Sequence, residues 1–518
     1  MAEELGFRLA ELMATLSLAS DMGTGTPLEQ SLGAAIVAVR LAEVAGLSED
    51  QARAAYYLTM LRTVGCTGDG DVGRLIMGED VGAWVGHLPN GSKLGFLAAM
   101  IKQVGRGASP LRRTAAVARA FRGMPQVMAA TPIHCEVGKR LAARVGLGPG
   151  VERGLVQIFE RWDGAGKPNG LKHDALDPIV CVAHIAGDAQ VVFRMGGVDA
   201  AIAMVRERAG KAYAPAIAKA FVAHAPAILG ERDLPSVWEA ALAAEPGKPR
   251  RLEGEQAERA IRSIGEHADM KSGYFRGHSA GVATLAAGAA RRLRLSEADV
   301  VALSRAGHLH DIGRAGVLAD VWDKKGPLGD EDRERMRTHA YHTERVLSRA
   351  TFLGAAASIA ALDHERLDGS GYHRRLPPGS LPVTVRVLSA ADVYRALIEP
   401  RPHRPARKSD EAAAELRREV QAGRLDAEAV EAVLGAAGQE TRRPERPAGL
   451  SSREVEVLRF VARGLTNKEI ASSLDISVRT AGHHVEHIFT KIGVTTRAAA
   501  GLFAMQNDLM IDPGAFAP

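Results

Sequence analysis

The chain has 518 residues, with 46% hydrophobic and 25% charged side chains, a composition ordinary for globular proteins and long enough for two to four domains. Its three cysteines exclude a disulfide framework and lack the spacing of a zinc site, and the net charge of +5 permits a polyanionic partner without requiring one. The first residues lack the pattern of a signal peptide, and the longest apolar run, around residues 352–362, is too short to span a bilayer. We therefore expect a cytoplasmic protein without a membrane segment.

Segments rich in Ala, Leu and Arg with helical spacing dominate the chain, so a mostly α protein is predicted. The sequence also repeats itself. The segment DMGTGTPLEQSLGAA from Asp21 resembles DMKSGYFRGHSAGVA from Asp269, and FERWDGAGKP from Phe159 resembles HERLDGSGYH from His364, with a further match between them in the same order. The sequence distance between matching residues falls from 248 at the first match to 205 at the last. The first copy is therefore expected to carry about 43 extra residues, within residues 66–131. We interpret the pattern as a duplication.

The two copies differ where metal chemistry would be carried out. The polar residues of the second copy are His278, His310, Asp311, His339, His364 and Asp392. The matching positions of the first copy are Gln30, Arg62, Thr63, His134, Phe159 and Asp188. Four of these six are not metal ligands, and Arg62 places a positive charge where a cation would bind. We expect metal in the second copy alone.

His310 and Asp311 are adjacent and lie at the end of a predicted helix, before Gly313. Neighbouring residues diverge by about 100° on a helix, so both can face one centre only near a helix end. Imidazole and carboxylate ligands suit Fe, Mn or Zn, and Asp311 could bridge two ions. The alternative is that each histidine is an ordinary core or surface residue, which is the expectation for any single histidine. Six histidine and aspartate residues in one region favour a metal site instead.

The segment from about residue 269 to 403, with HDIG, DHERLDGSGY and SAADVYRAL, resembles the HD-GYP family of metal-dependent phosphohydrolases. The resemblance implies a helical domain that holds metal ions and hydrolyses cyclic di-GMP or a related cyclic dinucleotide. The segment departs from the family pattern at two positions. Asp363 replaces the first of two paired histidines, and His373 replaces the proline of the GYP motif. By the resemblance, a catalytic role falls to His310, Asp311 and Arg314. Two divalent ions would be held by His278, His310, Asp311, His339, Asp363, His364 and Asp392.

Two segments rich in proline, glycine and charge, residues 244–255 and 439–449, read as linkers. They divide the chain into a degenerate HD-GYP-like domain at residues 1–243, an HD-GYP-like phosphohydrolase domain at residues 256–438 and a third domain at residues 449–518.

In the third domain, Ser451-x-x-Glu454 and Thr466-x-x-Glu469 are capping boxes that predict two helix starts. A third helix follows, with one apolar stripe and an opposite polar face.

The segment LSSREVEVLRFVARGLTNKEIA, with about 60 residues around it, resembles the LuxR-type helix-turn-helix family. The resemblance implies four helices, of which the third enters the DNA major groove and the fourth, from Arg497, often dimerises. Charges over residues 449–510 sum to only +1, so a homodimer on double-stranded DNA is expected. The expected DNA-binding residues are Lys468, Arg479, Thr480, Gly482, His483, Glu486, Lys491 and Arg497.

The whole chain is therefore interpreted as two all-helical HD-type domains followed by a four-helix DNA-binding domain. Its expected function is that of a transcriptional regulator whose second HD repeat hydrolyses or senses a cyclic dinucleotide. Two alternatives stay open. The HD repeats could be inactive modules for sensing and dimerisation, or the protein could be a phosphodiesterase whose helix-turn-helix makes protein contacts. Retained ligands in the second copy favour hydrolysis.

Overall fold

The computed structural model describes residues 6–67, 109–230, 234–377, 380–442, 447–474, 476–507 and 509. These ranges are predominantly helical, so the prediction of a mostly α protein is confirmed. Two short strands, β1 (Phe7–Arg8) and β2 (Arg251–Leu252), pair antiparallel. Most of the segment predicted to be extra in the first copy lies outside the described residues.

The helices described before residue 250 belong to the predicted first domain. They are α1 (Leu9–Thr24), α2 (Gln30–Val44), α3 (Glu49–Met60), α4 (Pro110–Arg144), α5 (Pro149–Gln157), α6 (Pro178–Arg208), α7 (Pro215–Leu229) and α8 (Val237–Ala243).

The helices described after residue 250 fall into a longer series and a C-terminal group of four. The longer series consists of α9 (Gly254–Asp269), α10 (His278–Arg292), α11 (Glu297–Leu309), α12 (Ala319–Trp322), α13 (Asp330–Leu347), α14 (Ala355–Ala361), α15 (Val383–Ile398), α16 (Ser409–Gln421) and α17 (Ala427–Ala436). The C-terminal group is α18 (Ser452–Ala462), α19 (Asn467–Ser473), α20 (Val478–Ile492) and α21 (Arg497–Gln506).

The chain divides into two compact units, each assembled from separated segments. One contains the described parts of residues 1–283, 304–362 and 399–406, and the other contains those of 284–303, 363–398 and 407–518. In the first unit, every residue of α1 except Glu11 is buried, because most of its side chains are apolar or small. It packs against the 3-10 turn Ile312–Gly316 as well as α2 and α3. The predicted first domain thus shares a core with the turn that follows Asp311.

Helix positions recur at a constant offset along the chain. Helices α2 and α10 begin and end 248 residues apart, and α3 and α11 begin 248 residues apart. A buried hydrogen bond recurs with them, because the Ser31 hydroxyl donates to Asp21 at 2.6 Å and the Ser279 hydroxyl donates to Asp269 at 2.6 Å.

A second local arrangement recurs at an offset of 205. The Glu160 carboxylate accepts from the backbone N–H groups of residues 169 and 171, and the Glu365 carboxylate accepts from those of residues 374 and 376. In each loop a close-packed glycine, Gly166 or Gly371, leaves no room for a Cβ, because that atom would lie within 2.8 Å of the backbone of the same glutamate. Each glutamate therefore organises the loop that follows it.

Helix α6 is the one described helix long and apolar enough to cross a membrane. Of its most apolar window, 61% is buried inside the fold, and its helical geometry is interrupted at Gly197. Such burial is typical of a core helix. The sequence pattern did not single out this segment, because its apolar residues are interleaved with Asp188 and Arg194.

The C-terminal group has the four helices that the resemblance implies. Both predicted capping boxes are present, since Ser451 and Thr466 accept from the backbone N–H groups of Glu454 and Glu469, whose carboxylates reach back to the cap residues. An N-cap of this kind stabilises a helix by about 1 kcal/mol. The helices enclose an apolar core that includes Leu458, Ile470, Ala481, Val485 and Ile488.

Candidate functional site

Asp311 lies at the centre of a buried polar cluster in the first compact unit. Helix α11 ends at Leu309, so His310 and Asp311 leave the helical geometry and both point inward. The Asp311 carboxylate lies 2.8 Å from His310 Nε2 and 3.5 Å from both His278 Nε2 and His339 Nε2. All four side chains are at least 98% buried. Three of the predicted ligands are thus gathered around the fourth.

The other ring nitrogen of each histidine is held by an oxygen acceptor. His278 Nδ1 lies 2.9 Å from a Glu399 carboxylate oxygen, and His310 Nδ1 lies 2.9 Å from the carbonyl oxygen of Gly307. His339 Nδ1 contacts the carbonyl oxygen of Met336. Because a carbonyl oxygen can only accept, Nδ1 donates, and in the neutral imidazole Nε2 then carries a lone pair. The Nε2 lone pairs therefore face Asp311.

This arrangement fits a metal ion. Lone pairs of imidazole and carboxylate that converge at 2.8–3.5 Å repel one another unless a cation lies between them. Two ligands of one tetrahedral ion, each about 2.1 Å from it, are about 3.4 Å apart. The donor set of nitrogen and carboxylate oxygen suits Fe, Mn or Zn.

Arg314 supplies a fixed positive charge at the edge of this cluster. Its guanidinium lies 2.5 Å from Asp311 and 3.9 Å above the Phe275 ring, with Trp322 further away. Burial opposes ionisation of Asp311, but nearby positive charge, above all that of Arg314, outweighs it and holds the pKa of Asp311 well below its usual range. Asp311 is therefore a carboxylate at neutral pH.

Glu399 was missed by the sequence analysis. It is 7% exposed, follows the end of α15, and binds both His278 and Arg401. A carboxylate behind a ligating histidine fixes the tautomer and the ring orientation. The only sequence signal was an acidic residue soon after the helix that carries Asp392, and nothing in that pattern links it to His278, which is 121 residues away.

The remaining predicted ligands lie in the second compact unit. Asp363, His364 and Asp392 are buried and each offers a ligand atom within 4.8 Å of the other two. The Asp363 backbone carbonyl accepts from the Ser389 hydroxyl, which joins the two segments of this cluster. Tyr372 stacks on the His364 ring with centroids 4.6 Å apart. This group is a second set of oxygen and nitrogen donors.

The predicted DNA-contacting residues belong to the C-terminal helices. Lys468 on α19 and four residues of α20, Arg479, Thr480, His483 and Glu486, are exposed, while Gly482 is half-buried. Two others have partners inside the domain: Lys491 and Arg497.

The intradomain contacts of these two residues are specific. Lys491 Nζ lies 2.7 Å from the carboxylate of Glu454 and donates to the Gly449 carbonyl. Arg497 donates to the Leu465 carbonyl at 2.6 Å and also binds the Asn467 side chain. Both join helices of the C-terminal group, a role that the sequence analysis did not assign to them.

Family models match these two regions. Residues 262–429 match the HD domain, and residues 448–504 match the bacterial regulatory proteins of the luxR family. The chain carries an HD domain followed by a LuxR-type helix-turn-helix domain. The HD match contains all seven predicted metal ligands, and the helix-turn-helix match contains all the predicted DNA-contacting residues.

Several proteins similar to this chain carry the name of a phosphodiesterase. A 3′3′-cGAMP-specific phosphodiesterase 3 of Vibrio cholerae is 26% identical over 79% of this chain and 90% of its own length. A cyclic di-GMP phosphodiesterase of Thermotoga maritima is 33% identical over 34% of this chain, which spans only 47% of that relative. The crystal structure of a cyclic GMP-AMP specific phosphodiesterase of V. cholerae is 23% identical, covers 84% of this chain and 98% of its own, and has a TM-score of 0.57. This last likeness shows a shared fold.

A different polar cluster lies before the HD domain, around Asp188 of α6. The Asp188 carboxylate lies 3.2 Å from both Arg62 and Arg208 and accepts from the Tyr213 hydroxyl at 2.7 Å. Burial opposes ionisation, but the two guanidinium groups outweigh it and lower the pKa of Asp188. Gln30, at the position that matches His278, is also buried nearby. Arg62 therefore supplies a fixed positive charge beside Asp188.

Proposed function

We propose that this protein is a transcriptional regulator whose HD domain holds two metal ions and hydrolyses a cyclic dinucleotide. The observation that carries the proposal is the convergence of three imidazole Nε2 atoms on the buried carboxylate of Asp311, within a domain related to cyclic dinucleotide phosphodiesterases.

The proposed metal centre uses the ligands that the sequence analysis assigned to it. The ions would be Fe, Mn or Zn, and Asp311 would be the ligand that they share. When bound, they would activate a water molecule and neutralise the charge of the phosphodiester. The seven ligands would be His278, His310, Asp311, His339, Asp363, His364 and Asp392.

The protein's own residues would orient the substrate and the ligands. Arg314 is pinned between Asp311 and the Phe275 ring, so its planar guanidinium is held ready to pair with a phosphate oxygen. Glu399 would hold His278 in the ligating tautomer. The near-complete burial of these side chains excludes bulk water and strengthens each electrostatic contact.

Residues 1–243 would be a degenerate HD-type domain produced by duplication, without metal. The recurring helix bounds, the Ser–Asp hydrogen bonds and the paired glutamate-organised loops support the duplication. The surroundings of Asp188 support the absence of metal, since Asp188 pairs with two guanidinium groups and one of them, Arg62, stands where the second copy has the ligand His310.

Helix α20 is the proposed recognition helix for double-stranded DNA. Exposed Arg479 and Lys468 would pair with phosphates, whereas His483 and Glu486 would read base edges. We also propose a homodimer on DNA and a cytoplasmic location. Lys491 and Arg497 would contribute mainly by holding the domain together.

A second candidate function is ligand sensing without hydrolysis. It is favoured by the contact of Arg314 with Asp311, which already neutralises the carboxylate, and by Asp363 in place of a histidine. A phosphodiesterase whose helix-turn-helix makes protein contacts is a further alternative, favoured by the exposed Glu486 on α20.

One experiment separates these functions. Full-length protein loaded with Mn²⁺ is incubated with 3′3′-cGAMP and with cyclic di-GMP, products are quantified by chromatography, and DNA binding is measured by footprinting of genomic fragments. The proposal expects linear products from one substrate and a specific footprint that Arg479→Ala weakens. A specific DNA footprint without hydrolysis of either dinucleotide would favour the sensor. Hydrolysis without any footprint would favour the phosphodiesterase whose helix-turn-helix makes protein contacts.

A further inference from the structure

A cleft of about 740 Å³ lies in the first compact unit, apart from the proposed ligands. Its walls are the C-terminal part of α4, the C-terminal half of α9, and the turn from Met270 to Gly277. The volume lies in the range of small-molecule sites, roughly 300–1,000 Å³.

The inner wall of the cleft combines apolar surface with one buried imidazole. Ile133, Val137 and Leu141 provide the apolar face, and Ile133 is 59% exposed. His267 is only 5% exposed, and neither of its ring nitrogens has a hydrogen-bond partner among the described residues. Burial lowers the pKa of His267 to about 4, so the ring is neutral and offers one donor and one acceptor. Both ring nitrogens are covered from solvent, so the ring must turn to present them to the cleft, where they would hydrogen-bond a planar heterocycle.

The mouth of the cleft carries three guanidinium groups. Arg140 and Arg144 are engaged with Glu136 and Glu266 in exposed ion pairs, which contribute about 0–1 kcal/mol each and are easily exchanged. Arg276 is exposed and makes no ion pair with any described residue. The mouth therefore suits an anionic group such as a phosphate, which arginine binds in a bidentate manner.

We propose that this cleft binds a mononucleotide, with the base stacked on the apolar wall and hydrogen-bonded to His267, and the phosphate held by Arg276 with Arg140 or Arg144. None of the described residues that line the cleft is a proposed metal ligand, and the test of this proposal does not depend on hydrolysis.

The experiment uses full-length protein stripped of metal with EDTA, so that binding through metal ions is removed. AMP, GMP, CMP and UMP are each titrated by calorimetry, with the corresponding nucleosides as probes that lack the phosphate. We expect at least one mononucleotide to bind, and its nucleoside to bind at least tenfold more weakly.

Variants locate the binding. Arg276→Glu is expected to weaken nucleotide binding at least tenfold, and His267→Leu at least fivefold, while Arg206→Glu, on exposed surface of α6, leaves it unchanged. His267→Leu keeps the fold because it removes a buried polar group without a protein partner, which is neutral or stabilising. Thermal unfolding checks this. The proposal is overturned if no mononucleotide binds at millimolar concentration, or if both cleft variants bind like the wild type.

Discussion

Asp188 and Asp311 are both carboxylates with little solvent exposure whose pKa is lowered, yet their surroundings differ in kind. Asp188 is enclosed by Arg62, Arg208 and the Tyr213 hydroxyl, so the protein itself compensates its charge. Asp311 faces three imidazole nitrogens whose lone pairs cannot compensate its charge, and among the described residues the permanent cation in contact with it is Arg314. A carboxylate with internal cations is a structural element, whereas one among imidazoles is suited to hold metal.

A break within one helix contributes to the difference. The helical geometry of α6 is interrupted at Gly197, and because 20 residues of straight helix would span about 30 Å, this break is what lets Arg208 return to the Asp188 carboxylate, where Tyr213 also binds. Helix α15, which carries Asp392, ends at Ile398, and the chain then places Glu399 behind His278. The chain after the Asp188-bearing segment therefore completes an ion-pair network, whereas the chain after α15 supplies the carboxylate that orients His278.

The largest effect is expected from removing the ligand pair. His310→Ala combined with Asp311→Ala should abolish stoichiometric metal binding, because two ligands are lost and one of them is the proposed bridge. Metal is measured by elemental analysis of full-length protein after Mn²⁺ loading and desalting. Arg62→Ala with Thr63→Ala, at the matching positions, is the control and should bind as much metal as the wild type. Equal metal loss in both variants would remove the distinction between the two regions.

A smaller effect is expected at Glu399. Glu399→Ala should weaken metal binding about 10- to 100-fold, because His278 loses the carboxylate that orients its ring. Glu399→Gln should recover part of the affinity, since the amide oxygen can still accept from Nδ1. Competition with a metal-binding dye measures the affinities. Unchanged affinity in the alanine variant would show that Glu399 does not position His278.

The smallest effect is expected on stability at Asp188. Asp188→Asn should lower the free energy of unfolding by about 2 kcal/mol, less than the 3–5 kcal/mol for a fully buried pair, because Arg62 and Asp188 are partly exposed. Urea unfolding at pH 7 measures the change, and Asp50→Asn, whose carboxylate is 89% exposed, is the control.

The pH dependence of this effect has a definite sign. The pKa of Asp188 is lowered in the folded protein, so its contribution is present above the unfolded pKa, about 3.9, and is lost as the pH falls through the folded pKa. The difference between wild type and Asp188→Asn should therefore be constant from pH 7 to about pH 5 and shrink below about pH 4. A difference that grows on acidification would contradict the ion-pair interpretation.

Features that depend on neighbouring residues were predictable from the sequence. The caps at Ser451 and Thr466, the helical class, the helix end at His310–Asp311 and the two matched domains all follow from signals within a few residues or from short motifs. The proposed duplication and the metal-free first copy stay predictions, as do the DNA contacts. Local signals suffice for these features because caps and helix ends act over three or four residues.

The tertiary structure decided which distant side chains meet. Glu399 reaches His278 across 121 residues, Arg62 reaches Asp188 across 126, and Lys491 reaches Glu454 across 37. No periodicity encodes such pairs, because each depends on where two separately formed helices come to rest. The sequence alone therefore determined the kinds of residue available for metal and DNA binding, whereas packing determined which carboxylates receive a guanidinium or an ammonium partner and which face imidazoles.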